Sequence, residues 1–377
     1  MFSGVVYVQP FIKWPGGKQE ELKVIIPNLP GKINRYIEPF VGGGAVYLDE
    51  STKANKYLIN DKSIELINLY ECIKEQNKEF HMKLEAINRN WKLMEWIVEK
   101  YIDELIENYI RFRNDELSNL AYHDLLIQFI IQHNDELNGL LETSFNINLK
   151  NFINEIERNL INKTARMKKI EKEKGKLPES DILDNLEAAF KSGFYMHFRH
   201  LYNNIEKYKI NKPFATAIFY FVREYCYSSM FRYNKSCSFN VPYGGISYNR
   251  KDFGDKIKRL RDKKLIEHLN NTTIRCMDFQ DFLNEVNPAE GDFLFIDPPY
   301  DTDFSTYAKN TFDQNDQIRL ANYLRSIKAS FMIVIKNTDF IYSLYEGLNI
   351  KTFDKKYLVS FQNRNDKEAE HLLITNY

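Results

Sequence analysis

Hydrophobic residues recur with two different spacings along this chain of 377 residues, and the change of spacing divides it into segments. In residues 33–75, and again from about residue 275, short apolar runs alternate with turn residues. "INRYIEPFVGGGAVYL" predicts a strand, a glycine turn and a helix, and "KYLINDKSIELINLY" predicts a strand, an acid and another helix. "TIRCMDF", "FLFIDPP" and "SFMIVIKNTDF" predict three more buried strands. Both segments therefore indicate an α/β fold.

From about residue 78 to 190, glycine and proline become rare and apolar residues return at helical intervals, as they do from Met94 to Ile110. This pattern predicts a helical insertion. Within it, "KTARMKKIEKEKGK" (163–176) predicts an exposed helix end or a linker. The apolar helix faces need a packing partner, and we expect them to pack on each other as a small bundle. Self-association of the chain stays open.

The segments predict an interrupted domain. Residues 1–76 and 270–377 form the two halves of an α/β domain with a mainly parallel sheet flanked by helices. Residues 77–190 form the helical insertion, and residues 191–269 form a further region with its own charge character. The apolar content of 44% is enough for a large core.

No apolar run approaches the roughly 20 residues that span a bilayer, and the N-terminus lacks the pattern of an export signal, so we expect no membrane segment. Four scattered cysteines form no C-x-x-C pair, which favours ordinary thiols in a reducing compartment over a zinc site.

Charge is unevenly distributed in a chain whose net charge is zero. Residues 191–265 contain sixteen Lys and Arg against five Asp and Glu, a balance of +11. Residues 78–190 contain sixteen against twenty-one, a balance of −5. Binding to phosphates needs local rather than overall positive charge, so residues 191–265 are the candidate surface for a polyanion. A solvated charged face is the alternative.

The glycine turn predicts a cofactor site. Gly42, Gly43 and Gly44 follow a strand, where backbone without side chains can approach a ligand closely. The spacing fits neither a dinucleotide fingerprint nor a P-loop. Asp61 follows the next strand, where a carboxylate can accept hydrogen bonds from both hydroxyls of a ribose. An adenosine compound without pyrophosphate, such as S-adenosylmethionine, fits this pair of features.

"DPPY" (297–300) predicts a pocket for a flat group with an amine. Asp297 and the Pro298 carbonyl can each accept one N–H of an exocyclic amine, while Tyr300 stacks on the ring. Those bonds draw the nitrogen lone pair out of conjugation, so the amine can attack a methyl sulfonium held opposite. A simple turn after a strand is the alternative.

The chain resembles the Dam-type family of DNA N6-adenine methyltransferases in six motifs that follow the family's order. These are "FIKWPGGK" (11–18), "YIEPFVGGGAVYL" (36–48), "RYNKSCSFNVPYG" (232–244), "DPPY" (297–300), "FSTYAKNTFDQNDQIRLANYL" (304–324) and "EAEHLLITNY" (368–377). The resemblance implies a Rossmann-like methyltransferase sheet flanked by helices, with an inserted helical region and a DNA-recognition helix and hairpin region in residues 191–269.

The resemblance also implies S-adenosyl-L-methionine as cofactor, no metal, and N6 of a flipped adenine in double-stranded DNA as the methyl acceptor. The residues that it places around the cofactor are Trp14, Lys18, Glu38, Phe40, Gly42, Gly44, Asp61 and Asp278. Those that it assigns to catalysis are Asp297, Pro298, Pro299 and Tyr300. Those that it turns toward DNA are Lys13, Arg232, Asn234 and Lys235.

The implied setting is a restriction-modification system or a phage, in the cytoplasm of a bacterium, with a restriction endonuclease of the same target site as a candidate partner. The chain departs from the family at Ser228 and Ser229, where an Asn-Gly pair is common, and in the acidic helical insertion. Three alternatives remain open: a cytosine N4 methyltransferase, a protein glutamine methyltransferase and a catalytically idle DNA-binding or assembly protein. Asp297 disfavours the first two classes. At the position of "DPPY", cytosine N4 enzymes more often have Ser-Pro-Pro-Tyr and glutamine enzymes have Asn-Pro-Pro-Tyr.

Overall fold

The computed structural model describes residues 10–133, 136, 147–230, 232–299, 312–356 and 368–377. The chain divides into two units. The sheet unit comprises Met1–Gln76, Phe231–Tyr233 and Arg259–Tyr377, and the helical unit comprises Asn77–Met230 and Asn234–Lys258. The sheet unit is therefore interrupted twice, by residues 77–230 and again by residues 234–258.

Seven strands form the sheet of the sheet unit, in the order β3-β2-β1-β4-β5-β7-β6. The strands are β1 (Arg35–Glu38), β2 (Lys56–Asn60), β3 (Thr272–Arg275), β4 (Phe293–Ile296), β5 (Ser330–Lys336), β6 (Asn349–Lys356) and β7 (Glu368–Thr375). The first five strands in that order are parallel, whereas β7 runs antiparallel to β5 and to β6. The predicted Rossmann-like α/β class is confirmed.

The described helices of the sheet unit flank this sheet. They are α1 (Leu22–Ile25), α2 (Ile64–Lys74), α10 (Lys263–Asn270), α11 (Phe279–Val286), α12 (Gln314–Ser326) and α13 (Asp339–Leu344). A core of fully buried side chains, which includes Ile37, Leu294 and Ile333 from three adjacent strands, lies beneath α11 and α12. Strands buried on both faces read as continuous apolar runs, which is why "FLFI" and "FMIVI" identified β4 and β5.

Seven described helices belong to the helical unit, and the last of them ends one residue beyond its boundary. They are α3 (Lys78–Lys100), α4 (Ile102–Arg113), α5 (Asn119–Gln132), α6 (Leu149–Lys174), α7 (Glu179–Tyr202), α8 (Lys212–Tyr225) and α9 (Phe253–Arg259). Helix α7 packs along α6 and also contacts α3 and α8, and Trp91 of α3 lies in an aromatic cluster with Phe194 and Phe221. The apolar faces of these helices therefore cover one another.

One local prediction was wrong. Residues 42–48 form hydrogen-bonded turns instead of a helix after the glycines. Gly42 and Gly44 have φ of +49° and +68°, which a right-handed helix cannot accommodate. Residues 163–174 form the C-terminal end of α6, which agrees with the predicted helix end, and within it only Thr164, Met167 and Glu171 are buried. In the described part of the chain, no helix is long and apolar enough to cross a membrane.

Candidate active site

Four acids line the carboxyl edge of the sheet. Glu38 ends β1, while Asp61 and Asp297 directly follow β2 and β4. Asp278 follows β3 after two further residues. Parallel strands place their carboxyl ends at one edge, so the spatial order is Asp278, Asp61, Glu38, Asp297. The strand order reverses between β1 and β4: β2 and β3 lie on one side of β1, and β4 and β5 lie on the other. Open α/β sheets bind ligands at such a switch point.

The glycine turn is held against the end of β2. The Gly42 N–H donates to Asp61 Oδ2 at 3.0 Å, and the Ser63 N–H donates to Asp61 Oδ1 at 2.9 Å. Burial raises the pKa of Asp61, and these backbone hydrogen bonds oppose the rise. Gly44 cannot carry a side chain, because a Cβ there would lie 2.6 Å from the Tyr70 hydroxyl oxygen. The turn thus presents bare backbone beside a fixed carboxylate.

Trp14 packs against this turn: a Cβ on Gly42 would lie 2.8 Å from Trp14 Cδ1. Asn60, which sequence reasoning missed, joins the ends of three segments. Its Nδ2 donates to the carbonyls of Pro39 at 3.0 Å and Met277 at 3.1 Å, and its Oδ1 accepts the Met277 N–H at 3.0 Å. A buried Asn as the last residue of a strand was the available signal, because its amide must find partners.

Glu38 is buried at the centre of the row. The Tyr36 hydroxyl donates to Glu38 Oε2 at 2.8 Å. Burial raises the pKa of Glu38 well above its ordinary value, and the charges of Asp297 and Asp61 raise it further against the opposing effects of Tyr36 and Lys18. A cationic ligand at this edge would favour the ionised form of Glu38, because it would offset the charge that burial penalises.

Lys18 and Asp297 form an ion pair at the end of β4. Lys18 Nζ lies 2.5 Å from Asp297 Oδ1 and donates to the Gly16 carbonyl at 3.1 Å. Lys18 is almost fully buried, whereas Asp297 keeps a fifth of its side-chain surface exposed. The ammonium neutralises the acid and fixes its orientation.

The two prolines continue this segment, with Pro298 buried and Pro299 exposed. Gln317 of α12 is fully buried and donates from Nε2 to the Pro299 carbonyl at 3.0 Å. This contact was not predicted, although a glutamine inside the "DQNDQIRLANYL" motif offered a signal. Tyr300, the fourth predicted catalytic residue, lies outside the described residues.

Asp278 caps the N-terminus of α11 through the Gln280 N–H at 2.9 Å. Arg319 of α12 forms an ion pair with it at 3.1 Å. Burial alone would raise the pKa of Asp278, but the hydrogen bonds from Arg319 and from the Gln280 N–H lower it overall. Phe40, Phe279 and Phe312 pack beside this pair with ring centroids 5.4–5.7 Å apart. The result is a charged acceptor next to an apolar wall.

The residues expected to face DNA are distributed over both units. Lys13 and Arg232 of the sheet unit are exposed, as are Asn234 and Lys235 of the helical unit. Asn234 builds a tight turn, because its Oδ1 accepts the N–H groups of Ser236 at 3.1 Å and Ser238 at 2.9 Å. Its amide oxygen is thus used by the turn, which leaves the amide nitrogen as the group suited to a base.

Part of the basic surplus in residues 191–265 is internal. Lys191 is fully buried, where it pairs with Glu187 at 2.6 Å and Glu95 at 2.5 Å and donates to the Asn249 carbonyl at 2.8 Å. Arg223 is also buried. The surface charge available for phosphates is therefore smaller than the sequence count.

Ser228 and Ser229 have φ of +52° and +51°. Asn and Gly adopt this left-handed conformation most readily, and they are the residues common here in the family that the chain resembles. The backbone shape that such a pair favours is thus present although the residues differ, at the expense of local strain.

The sheet order and the acids at its carboxyl edge define a Rossmann-like methyltransferase. The family model of the D12 class N6 adenine-specific DNA methyltransferases matches residues 14–153 and 142–359. The chain belongs to this family.

Relatives of similar length align with nearly the whole of this chain. A Type II methyltransferase, M.MjaIII of Methanocaldococcus jannaschii, is 29% identical over 98% of this chain and 99% of its own. M.CviBI, a Type II methyltransferase of Paramecium bursaria Chlorella virus NC1A, is 24% identical over 98% of this chain and 100% of its own. A DNA adenine methylase of Haemophilus influenzae is 23% identical over 91% of this chain and 85% of its own. The similarity thus includes the helical unit.

Proposed function

We propose that this chain transfers a methyl group from S-adenosyl-L-methionine to N6 of one adenine within a specific sequence of double-stranded DNA. The observation that carries the proposal is the row of acids at the carboxyl edge, with Asp297 at its end in an Asp-Pro-Pro segment. Membership of an adenine-specific DNA methyltransferase family supports the same base and substrate.

The site has acceptors and apolar surface suited to the cofactor. Asp61 uses two of its roughly four acceptor positions for backbone N–H groups, which leaves capacity for ribose hydroxyls. Glu38 lies in the middle of the row, where a carboxylate suits the cationic methionine end. S-adenosylmethionine supplies a methyl group on a positive sulfur. Trp14 packs against the glycine turn, and Phe40 is one of the three rings of the aromatic wall.

Asp297 and the Pro298 carbonyl accept the two N–H groups of the adenine amine, which localises the nitrogen lone pair toward the methyl donor. Lys18 holds the Asp297 carboxylate in place, and Gln317 holds the next carbonyl, at Pro299. Tyr300 follows in the chain as the ring that stacks on the base. The adenine must leave the duplex to reach these groups, which costs a few kcal/mol of stacking and pairing.

We further propose that Lys13, Arg232, Asn234 and Lys235 contact the DNA and that the protein acts in the cytoplasm of a bacterium or of a phage-infected host. Two of the relatives described above are named Type II methyltransferases, which supports a role beside a restriction endonuclease with the same target sequence.

The test is methylation of genomic DNA in a host strain that lacks its own adenine methylases. Sequencing that detects modified bases should find N6-methyladenine in one sequence context when the wild-type protein is expressed, and none with Asp297→Ala. Methylation of cytosine N4, or of no base at all by well-folded protein, would contradict the proposal.

A further inference from the structure

Arg319 is fixed from two sides beside the end of β3. Its Nη2 donates to Asp278 Oδ2 at 3.1 Å and its Nη1 to Asp278 Oδ1 at 3.3 Å. On the other side, Nη2 donates to Asp316 Oδ1 at 2.7 Å. The guanidinium also lies over the Phe279 ring, 4.7 Å from its centre. Among the side chains, only the planar guanidinium of arginine can donate two parallel hydrogen bonds to one carboxylate in this way.

These contacts leave Asp278 with a defined remaining capacity. A carboxylate has about four acceptor positions. Arg319 uses one position on each oxygen, and the Gln280 N–H uses a second position on Oδ1 at 2.9 Å. The remaining position is on Oδ2. An ionised acid offers no donor, so this position accepts an N–H group and does not match a carbonyl oxygen.

The place of Asp278 in the sheet indicates which part of the cofactor would reach it. The strand before it, β3, lies next to β2 on the side away from β1 and β4. Neighbouring strands are about 4.8 Å apart. If Asp61 after β2 holds the ribose, as the proposed function requires, the purine of the same nucleoside extends toward β3 and the wall of Phe40, Phe279 and Phe312.

We propose that Arg319 is a positioning residue that, by clamping Asp278, makes the protein select a 6-amino purine in its cofactor. The inference rests on the proposed function for the identity of the cofactor. It adds Arg319, a residue that does not itself touch the ligand, to the acid that the family resemblance already places at the cofactor.

Isothermal titration of the full-length protein without DNA tests the clamp. The two probes are S-adenosylhomocysteine and its 6-deamino analogue, which carries hydrogen in place of the amino group at purine position 6 and is otherwise identical. The wild type should prefer the amino compound by roughly tenfold or more, because the site pairs an N–H donor with a charged acceptor. Arg319→Met should reduce the preference to within roughly threefold by weakening the amino compound alone.

Arg325→Met is the matched control. It lies on the same helix, but its guanidinium donates to the carbonyls of Leu344 and Glu346, so both affinities and their ratio should remain unchanged. Arg319→Lys is a second variant for use if Arg319→Met does not fold. It keeps the charge without the fork and should give an intermediate preference.

Two results would overturn the clamp alone: a wild type that binds both compounds equally, or an Arg319 variant that weakens both by the same factor. The second would show that the guanidinium only supports the fold. A wild type that binds neither compound would overturn the proposed cofactor together with this inference. The assay is independent of DNA, so absent methylation with an intact preference would contradict only the proposed substrate.

Discussion

Lys18 Nζ contacts Asp297 Oδ1 at 2.5 Å although 279 residues of sequence separate them. The contact joins the N-terminal "WPGGK" segment to the carboxyl end of β4. Since Lys18 is almost fully buried, its ammonium depends on the acid for charge compensation. The segment predicted to bind the cofactor and the segment predicted to carry catalysis are therefore joined by one ion pair.

Asp297→Ala should abolish methyl transfer while the dissociation constant of S-adenosylhomocysteine changes by no more than a few fold. The substitution removes an acceptor for the target amine, and the proposed cofactor residues other than its partner Lys18 lie on other segments. Single-turnover assays and calorimetry measure the two effects. Asp339→Ala, at an exposed acid on α13, is the control and should behave as wild type. Substantial turnover by Asp297→Ala would remove this acid from catalysis.

Gly44→Ala should lower cofactor affinity and protein stability together. The new Cβ would lie 2.6 Å from the Tyr70 hydroxyl oxygen at a backbone φ of +68°, so both the turn and its neighbour must move. We expect a loss of at least about 1 kcal/mol in the free energy of unfolding. Gly31→Ala is the matched control, because a Cβ there meets no atom within 4 Å. Equal effects of the two substitutions in chemical denaturation would contradict the tight-turn explanation.

Glu38→Gln should stabilise the protein increasingly as the pH rises. Burial raises the pKa of Glu38 above its ordinary value of 4.5, so the folded protein keeps a proton that the unfolded chain loses. The stability linked to that proton is present below pH 4.5 and is lost as the pH rises through the raised pKa. Glutamine does not titrate and can still accept the Tyr36 hydrogen bond.

Urea denaturation at about pH 5 and about pH 8 measures this difference. The stability of Glu38→Gln relative to wild type should increase between the two values, whereas that of Glu50→Gln, at an exposed position, should not. A relative stability that is independent of pH would show that Glu38 is ionised in the folded protein throughout this range.

Asn234→Asp should change the choice of DNA sequence without unfolding the turn. Aspartate keeps the oxygen that accepts the Ser236 and Ser238 N–H groups, but it loses the amide nitrogen. We expect discrimination at one base pair to change by about 1–3 kcal/mol in binding assays on single-substituted sites. Cys237→Asp adds the same charge to the same exposed turn, so it should weaken binding to all sequences alike. Identical specificity profiles for the two variants would exclude base reading by Asn234.

Ser229→Gly should raise the free energy of unfolding by about 0.5–1 kcal/mol. Ser229 has a φ of +51°, which is strained for serine and relaxed for glycine. Thermal or chemical denaturation measures the change, and Ser326→Gly near the end of α12 should instead destabilise. A loss of stability in Ser229→Gly would mean that the hydroxyl makes up for the strain.

Strands β1 to β5 were predictable because each contains a short apolar run bounded by turn residues, and the acids after β1 to β4 followed from position alone. Strands β6 and β7 were not predicted, and β6, "NIKTFDKK", has no apolar run. The turn after Gly44 was not predictable, because the residues of "AVYL" are common in helices. Only the backbone angles of the glycines show that no helix follows. Asn60 and Arg319 were missed for a different reason. Their importance comes from partners on distant segments, which spacing within one motif does not encode. The roles of the individual site residues remain predictions.

The pairing of β1 with β4 affects how the protein folds during its synthesis. Tyr36 and Phe293 are neighbours in the sheet, yet the ribosome makes the whole helical unit between them. Contacts so distant in sequence form slowly and late. A nascent or truncated chain that ends before residue 293 has no β4 and lacks Asp297, the proposed catalytic acid. Until β4 is made, the edge of β1 has no strand to pair with. Unpaired strand edges favour aggregation, so we expect chaperones to bind the incomplete chain.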